Sequence, residues 1–276
     1  MQCNKCGNEP VIFQQYSGRH LCRKHAVLDI ESRIKRDVRA GHWMRPGDHL
    51  AIALSGNKRS RALLCFFQKL TARRRDIRLS AIVIDEGIPG QRDVPALVAM
   101  AENLGIACYL GSFGKDFPLA TGDVVHDGGS GSTCARCRQL RHDLIGTIAQ
   151  REGITRIISD RTLEDKATGI LANILLGRVE NLLPKSGRRN TVPWIDPLGS
   201  VPRAEADLYA DFLCPGAEMP RCPYRETGFF DEVRDMMETY TERHPATPYS
   251  ISVIGEALHG ECPSSRTRKE APFHAA

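Results

Sequence analysis

The chain of 276 residues is 41% hydrophobic and 26% charged, which is ordinary for a globular protein and enough for one large α/β domain with small appendages. It contains no run of about 18 apolar residues, so we expect no membrane span. The formal net charge of +5 is compatible with a nucleic-acid partner but does not establish one.

The cysteine content adds a second constraint. No apolar signal region follows the N-terminal methionine, so we expect a cytoplasmic protein. Ten cysteines in such a chain indicate metal or redox chemistry more often than a disulfide framework.

Two pairs of metal-ligand residues lie near the N-terminus. Cys3 and Cys6 form a CxxC pair, and Cys22 and His25 form a CxxH pair. Three thiolates and one imidazole can close a tetrahedral zinc site, although scattered thiols beside a surface histidine are the alternative. We interpret the pairs as structural zinc, because four protein ligands leave no open position for catalysis.

The next segments alternate between charged and apolar character. Residues 30–39 form a charged helical stretch, which is either a solvated face or a contact for RNA phosphates. Residues 50–54 are wholly apolar and indicate a buried parallel strand, and residues 61–70 have apolar side chains at helical spacing.

The polar loop between that strand and helix, residues 55–60, is a candidate anion site. Strand, short loop and helix aim backbone N–H groups at an anion. A phosphate there would also meet the hydroxyls of Ser55 and Ser60 and the ammonium of Lys58. The alternative is an ordinary polar turn, since short motifs have a high false-positive rate.

Further strands are predicted at 79–84, 106–110 and 154–159, with a helix at 94–104. This alternation predicts an α/β fold with a doubly wound parallel sheet. The carboxylates Asp85 and Glu86 follow the second strand, at the edge where ligands bind in such sheets. Neither a GxGxxG fingerprint nor a GxxxxGK[ST] loop is present, which argues against nicotinamide and Walker-type nucleotide sites.

A second CxxC pair, Cys134 and Cys137, follows the glycine-rich loop at 127–132 and precedes a helix predicted at 138–150. Three interpretations remain open: ligands of an iron–sulfur cluster, a redox pair, or inert thiols. Cys214 and Cys222 are both candidates for a third sulfur ligand.

The remaining predictions concern the second half of the chain. Glu164 and Asp165 lie in the first turn of a helix predicted at 161–177, where they suit the helix dipole or serve magnesium or base chemistry. Helices are also predicted at 204–213 and 229–240. We expect the polar tail, residues 261–276, to be poorly ordered.

Seven short motifs in this order resemble the PP-loop ATP pyrophosphatases that thiolate tRNA, the 2-thiouridine and 2-thiocytidine synthetases. The resemblance covers nearly the whole chain. The motifs are the CxxC…CxxH finger, ALSG at 53–56 with Ser60, IDEGI at 84–88, CxxC at 134–137, LED at 163–165, the PL…P…E…LYA pattern from 197 to 210, and CPY at 222–224.

The resemblance implies a PP-loop α/β fold and an enzyme that adenylates a tRNA base and then replaces AMP by sulfur. It implies ATP, with magnesium, at a loop formed by Ser55, Gly56, Lys58, Arg59 and Ser60, with Asp85 nearby. It implies zinc on the first four ligands and a [4Fe-4S] cluster on Cys134, Cys137 and Cys222. Asp165, Glu164 and Arg141 are the implied catalytic residues, and tRNA, a sulfur donor protein or sulfide, and a homodimer are the implied partners.

The departures from the family pattern cluster at the nucleotide site, which includes residues 160–168, and at the tail, where only Cys262 remains of an expected second zinc finger. The usual SGGxDS reads Ser55 to Ser60 with Asn57 for the second glycine and Arg59 for the aspartate. Asn57 tolerates left-handed backbone better than most residues. The family aspartate could help hold magnesium through its carboxylate. Arg59 is a cation instead and can only bind phosphate directly. The cluster cysteines are unchanged.

The sequence therefore favours a tRNA-thiolating sulfurtransferase. The alternative is a non-adenylating paralogue that binds tRNA or a partner and carries a cluster. We expect a zinc-finger module at 1–30, a linker helix at 31–47, a PP-loop domain at 48–213, a helical segment with the third cluster cysteine at 214–260, and the tail.

Overall fold

The computed structural model describes residues 1–116, 133–183, 192–216, 219–220, 222–225 and 228–258. The predicted glycine-rich loop at 127–132 and the tail at 261–276 lie outside these residues. The chain begins with an antiparallel hairpin of β1 (Ile12–Gln14) and β2 (Arg19–Leu21).

The first helix, α1, spans Arg23–Ala40 and is longer than the sequence predicted. Cys22 precedes it in an extended conformation, so the CxxH pair occupies the helix start. Ala26, Ile30, Ile34 and Val38 recur every four residues and are all buried, which explains why one helix continues through residue 30. The predicted division between finger and linker therefore falls inside α1.

A parallel sheet forms the centre of the fold, which confirms the predicted α/β class. Its strands are β3 (His49–Ala53), β4 (Arg78–Asp85), β5 (Ala107–Ser112), β6 (Arg156–Ile158) and β7 (Trp194–Ile195). They lie in the order β5-β4-β3-β6-β7, and every neighbouring pair is parallel. The two-residue strand β7 was not predicted, because so short a segment has no periodicity.

The remaining helices of the described chain are α2 (Lys58–Thr71), α3 (Val94–Asn103), α4 (Phe113–Asp116), α5 (Thr133–Arg151), α6 (Leu163–Leu175), α7 (Arg203–Leu213), α8 (Phe229–Arg243) and α9 (Thr247–Leu258). A 3-10 turn, Val179–Asn181, follows α6. Helix α9 was not predicted. Helix α5 includes both cysteines of the second CxxC pair, which the sequence placed just before the helix.

Alternate residues of the strands serve two separate cores. In β3, Leu50 and Ile52 pack with α1, α2 and α7, whereas Ala51 packs with α5 on the other face. The same alternation occurs in β4 between Val83 and Ile84. The sheet is therefore covered on both faces, as its nearly continuous apolar strands require.

The strand order fixes where a ligand can enter. Chain order proceeds from β3 to β4 and β5 on one side, and then returns to β6 and β7 on the other. The crossover after β3 places α2 on one face of the sheet, the crossover after β5 places α5 on the other, and the strand order reverses between β3 and β6. This switch point at the carboxyl ends of the strands is where open α/β sheets bind ligands.

Candidate functional site

Four potential metal ligands converge at the N-terminus. The ligand atoms of Cys3, Cys6, Cys22 and His25 all lie within 4.8 Å of one another. The Nδ1 of His25 is 3.4 Å from the Sγ of Cys22 and 3.5 Å from that of Cys3, and the Sγ atoms of Cys6 and Cys22 are 3.6 Å apart. The structure thus brings the predicted zinc residues together.

The chemistry of this set fits structural zinc. Sulfur and imidazole nitrogen are the ligands that tetrahedral Zn²⁺ prefers, and four of them complete its coordination. The small core around the cluster contains only Cys3, Leu21, Cys22 and Ala26 with Ile12 against it. So little apolar packing needs a metal to hold it.

The loop after β3 has a local structure that differs from the prediction. Gly56 is its left-handed residue, with φ +94°, whereas Asn57 is extended, with φ −69°. Asn57 is instead the N-cap of α2, and its Oδ1 accepts a hydrogen bond from Ser60 N at 2.9 Å. The left-handed backbone that was expected at Asn57 thus lies one residue earlier, at Gly56. Ser60 is fully buried, and its hydroxyl donates to Asn57 O.

Both cations of this loop are ion-paired with α7. The Nζ of Lys58 lies 3.0 Å from the carboxylate of Asp211. The Nη1 of Arg59 lies 3.1 Å from Asp207, and its Nη2 lies 4.0 Å from Asp165. The loop therefore presents its positive charges already partnered by carboxylates.

Asp160, which follows β6, is a site residue that sequence reasoning missed. Its Oδ2 accepts a hydrogen bond from the Ser55 hydroxyl at 3.2 Å, so the two side chains meet across the switch point between β3 and β6. Burial raises the pKa of Asp160, against the opposing effects of Arg59, Asn57 and Ser55. The signal available in the sequence was its position directly after a buried strand.

The predicted catalytic acids of α6, Glu164 and Asp165, make structural contacts at the start of that helix. Asp165 forms a capping box with Thr162 and an ion pair with Arg203 at 2.9 Å. Glu164 accepts the backbone N–H of Arg203 at 2.7 Å. Burial by itself would raise the pKa of Asp165, but Arg203, Thr162 and Arg59 outweigh it and lower that pKa.

A cavity of about 460 Å³ collects the second set of cysteines. Cys134 and Cys137, one turn apart on α5, line it together with Cys222 from the segment after α7. The Sγ of Cys134 lies 3.8 Å from the carbonyl oxygen of Tyr224. Asn57 lines the same cavity, so the thiols open toward the loop after β3.

Arginines dominate the charge of this cavity. Among the described residues, Arg138, Arg141, Arg225 and Arg234 line it, and Asp231 is the one carboxylate. Asp231 is paired with Arg234 at 2.6 Å and with Arg225 at 3.2 Å. The excess of guanidinium groups suits both thiolate ligands and an anionic substrate.

A buried glutamate supports this arrangement: Glu86, one of the two carboxylates noted after the second strand, to which the sequence assigned no specific role. It is only 2% exposed and pairs with Arg92 at 2.8 Å and with Arg141 at 2.6 Å. The Nη2 of Arg141 lies 3.6 Å from the Sγ of Cys137. Burial raises the pKa of Cys137, and Arg141 opposes that effect. The neighbouring Asp85, which was predicted, accepts the N–H of Gly87 in a turn.

Cys214 lies elsewhere. At the end of α7 its thiol interacts with that of Cys65 in α2. Cys214 is not among the residues that line the cysteine cavity, whereas Cys222 is. Of the two candidates that the sequence left open, Cys222 is thus the one placed beside Cys134 and Cys137.

Comparison with known proteins identifies the family. The N-terminal LIM domain of the 2-thiouridine synthetase TtuA matches residues 2–25. The PP-loop domain matches residues 28–213, which is more than half of the chain. In the part of the chain that the structure describes, no helix is long and apolar enough to cross a lipid bilayer.

Individual relatives agree with the domain matches. The tRNA 2-thiolation protein NcsA of Haloferax volcanii is 32% identical over 279 residues, covering 94% of this chain and 87% of that protein. A probable sulfurtransferase of Methanocaldococcus jannaschii is 26% identical, covering 91% and 76%. The structure of the U34-tRNA thiolase NcsA from Methanococcus maripaludis with its [4Fe-4S] cluster shares the fold, with TM-score 0.83, 24% identity and coverage of 98% and 94%. The chain belongs to the PP-loop family, among the tRNA 2-thiolation sulfurtransferases.

Proposed function

We propose that this protein transfers sulfur to a tRNA base, using a [4Fe-4S] cluster held by Cys134, Cys137 and Cys222. The observation that carries the proposal is that these thiols, from two distant segments, line one cavity that reaches the loop after β3. The solved relative from Methanococcus maripaludis is described with such a cluster. Three cysteines of this chain provide the thiolate chemistry that iron–sulfur clusters require.

Cys134, Cys137 and Cys222 would hold the cluster, which would supply sulfur at the sulfide level to the substrate. The residues of the chain have separate tasks. Arg141 holds its guanidinium beside Cys137, where positive charge favours the thiolate over the thiol. Arg138 and Arg225 at the cavity wall attract the phosphate backbone of the substrate.

Activation of the base belongs to the loop at residues 55–60. We propose that the base oxygen attacks the α-phosphate of ATP there, that pyrophosphate leaves, and that sulfide then replaces AMP at the base carbon. The loop lies at the switch point of the sheet, and α2 begins there with its N-terminal N–H groups. In this proposal Cys3, Cys6, Cys22 and His25 hold zinc. The reaction takes place in the cytoplasm, where thiols stay reduced. The sulfur donor and the predicted homodimer stay predictions.

The test compares two cysteines of the full chain. After anaerobic reconstitution, we expect the wild type and Cys214→Ala to bind iron and sulfide and to form a thionucleoside in tRNA, detected by mass spectrometry of the digested RNA. Cys222→Ala should lose both properties. Iron binding that survives in Cys222→Ala and is lost in Cys214→Ala would refute the ligand assignment, and a loaded wild type that never thiolates tRNA would refute the function.

A further inference from the structure

The nucleotide loop contains a cation where its family has a carboxylate, and the structure shows what surrounds that cation. The guanidinium of Arg59 lies between two helices, 3.1 Å from Asp207 of α7 and 4.0 Å from Asp165 of α6. The charge of Arg59 also acts on Asp160, whose carboxylate meets Ser55 of the loop. Two carboxylates thus lie within 4.0 Å of this guanidinium, and the charge of a third interacts with it.

These residues do not fit the magnesium ion that the family resemblance implies. Magnesium needs oxygen ligands in nearly octahedral geometry at about 2.0–2.1 Å. Asp165 is already bound by Thr162 and Arg203, and Asp207 by Arg59. A fixed guanidinium among these carboxylates repels a second cation and also neutralises the negative charge that would attract it.

We infer that Arg59 takes the place of magnesium at this loop, and that ATP phosphates bound there are neutralised by its guanidinium. The inference rests on the proposed use of ATP. A guanidinium presents a planar set of donors that binds two phosphate oxygens at once. The side chain of Arg59 is 19% exposed, so a ligand can reach it from solvent.

Carboxylates of helix α7 compete with bound phosphate for the cations of this loop. Asp207 and Asp211 are one turn apart and hold Arg59 and Lys58, respectively. An incoming triphosphate must compete with both carboxylates for the two cations. Removing the charge of Asp207 should therefore release Arg59 and strengthen ATP binding without any metal.

The experiment measures ATP affinity of the purified full chain by calorimetry, in buffer with magnesium and in buffer with EDTA. For the wild type we expect the two dissociation constants to agree within about threefold, a difference of less than about 1 kcal/mol. Asp207→Asn should bind ATP more tightly in EDTA. Arg59→Asp should lose affinity in EDTA and regain at least about tenfold when magnesium is added. Arg73→Asp makes the same charge change beyond the other end of α2 and should behave as the wild type.

Three results would overturn the inference: wild-type binding at least about tenfold weaker in EDTA, no ATP binding in either buffer, or an Arg59→Asp variant as indifferent to magnesium as the wild type. The comparison of wild-type ATP binding in the two buffers tests the inference even if Arg59→Asp fails to fold. Failure of the proposed function is distinct. A chain that thiolates tRNA but needs magnesium to bind ATP overturns only the inference, and a chain that binds ATP without magnesium but never thiolates tRNA overturns only the function.

Discussion

The Nε–H of Arg141 donates to Oε1 of the buried Glu86 at 2.6 Å, beside the cysteine cavity. Glu86 also pairs with Arg92, so one carboxylate faces two guanidinium groups. The Nη2 of Arg141 also lies 3.6 Å from the Sγ of Cys137. This ion pair links the carboxyl end of β4 to a proposed cluster ligand on α5.

We expect Glu86→Gln to lower the free energy of unfolding by about 3 kcal/mol, because breaking a buried ion pair leaves uncompensated charges. Urea denaturation of the purified protein measures this. The matched control is Glu238→Gln, whose carboxylate is 53% exposed and pairs with Arg203. An exposed pair contributes at most about 1 kcal/mol, so the control should unfold nearly as the wild type does. Equal losses in the two variants would contradict the proposed role of the Glu86 network.

The N-terminal ligand set predicts a bound metal that depends on His25 and not on His20. The ligand atom of His25 lies within 4.8 Å of the sulfur atoms of three cysteines, whereas His20 stacks on Phe13 with ring centroids 4.6 Å apart. By metal analysis, we expect about one zinc per chain in the wild type and in His20→Ala, and none in His25→Ala. Zinc at this finger that survives His25→Ala would show that the imidazole is not a ligand.

Zinc removal should also expose thiols that the fold buries. Cys3 and Cys22 are 3% and 5% exposed. Because the metal replaces a hydrophobic core in so small a segment, chelation should make both cysteines accessible to a thiol reagent. Cys65 of α2 provides the internal reference, since it belongs to neither proposed ligand set and its labelling should not change on chelation.

The lowered pKa of Asp165 predicts a stability difference that depends on pH. In the folded protein this pKa lies below its unfolded value of about 3.9. The stabilisation is therefore complete above about pH 4–5 and is lost as the pH falls through the folded pKa. We expect Asp165→Asn to cost about 2 kcal/mol at pH 7 and progressively less below about pH 4, measured by denaturant unfolding at several pH values. A cost that grows in acid would contradict this sign.

The pair of Cys65 and Cys214 predicts a reactive thiol near neutral pH. A hydrogen bond from Cys214 lowers the pKa of Cys65 to about 7, whereas burial raises that of Cys108 to about 11. Iodoacetamide at pH 7 should therefore label Cys65 and leave Cys108 unmodified, as read by peptide mass spectrometry. In Cys214→Ala we expect labelling of Cys65 to slow about tenfold, because its pKa returns toward about 8.5. Unchanged labelling would show that Cys214 does not stabilise the thiolate.

The sequence by itself determined the parallel α/β sheet, because apolar strand runs and helical periodicity are local properties of the chain. It also indicated the metal residues of the finger, since CxxC and CxxH spacings place ligands one turn apart. It could not choose between Cys214 and Cys222, because which of two nearby cysteines reaches α5 depends on the path of the chain after α7. The tertiary structure placed Cys222 in the cavity and Cys214 beside Cys65.

For the charged residues, too, the sequence and the tertiary structure supplied different information. Motif comparison showed that Arg59 replaces a carboxylate, but only the fold revealed that Asp165 and Asp207, from two other helices, surround it. The role of Glu86 and the presence of Asp160 at the site were not predicted, because a buried carboxylate is recognised by its partners and not by its neighbours in sequence. Ion pairs join residues far apart along the chain, and their geometry exists only after the helices have packed on the sheet.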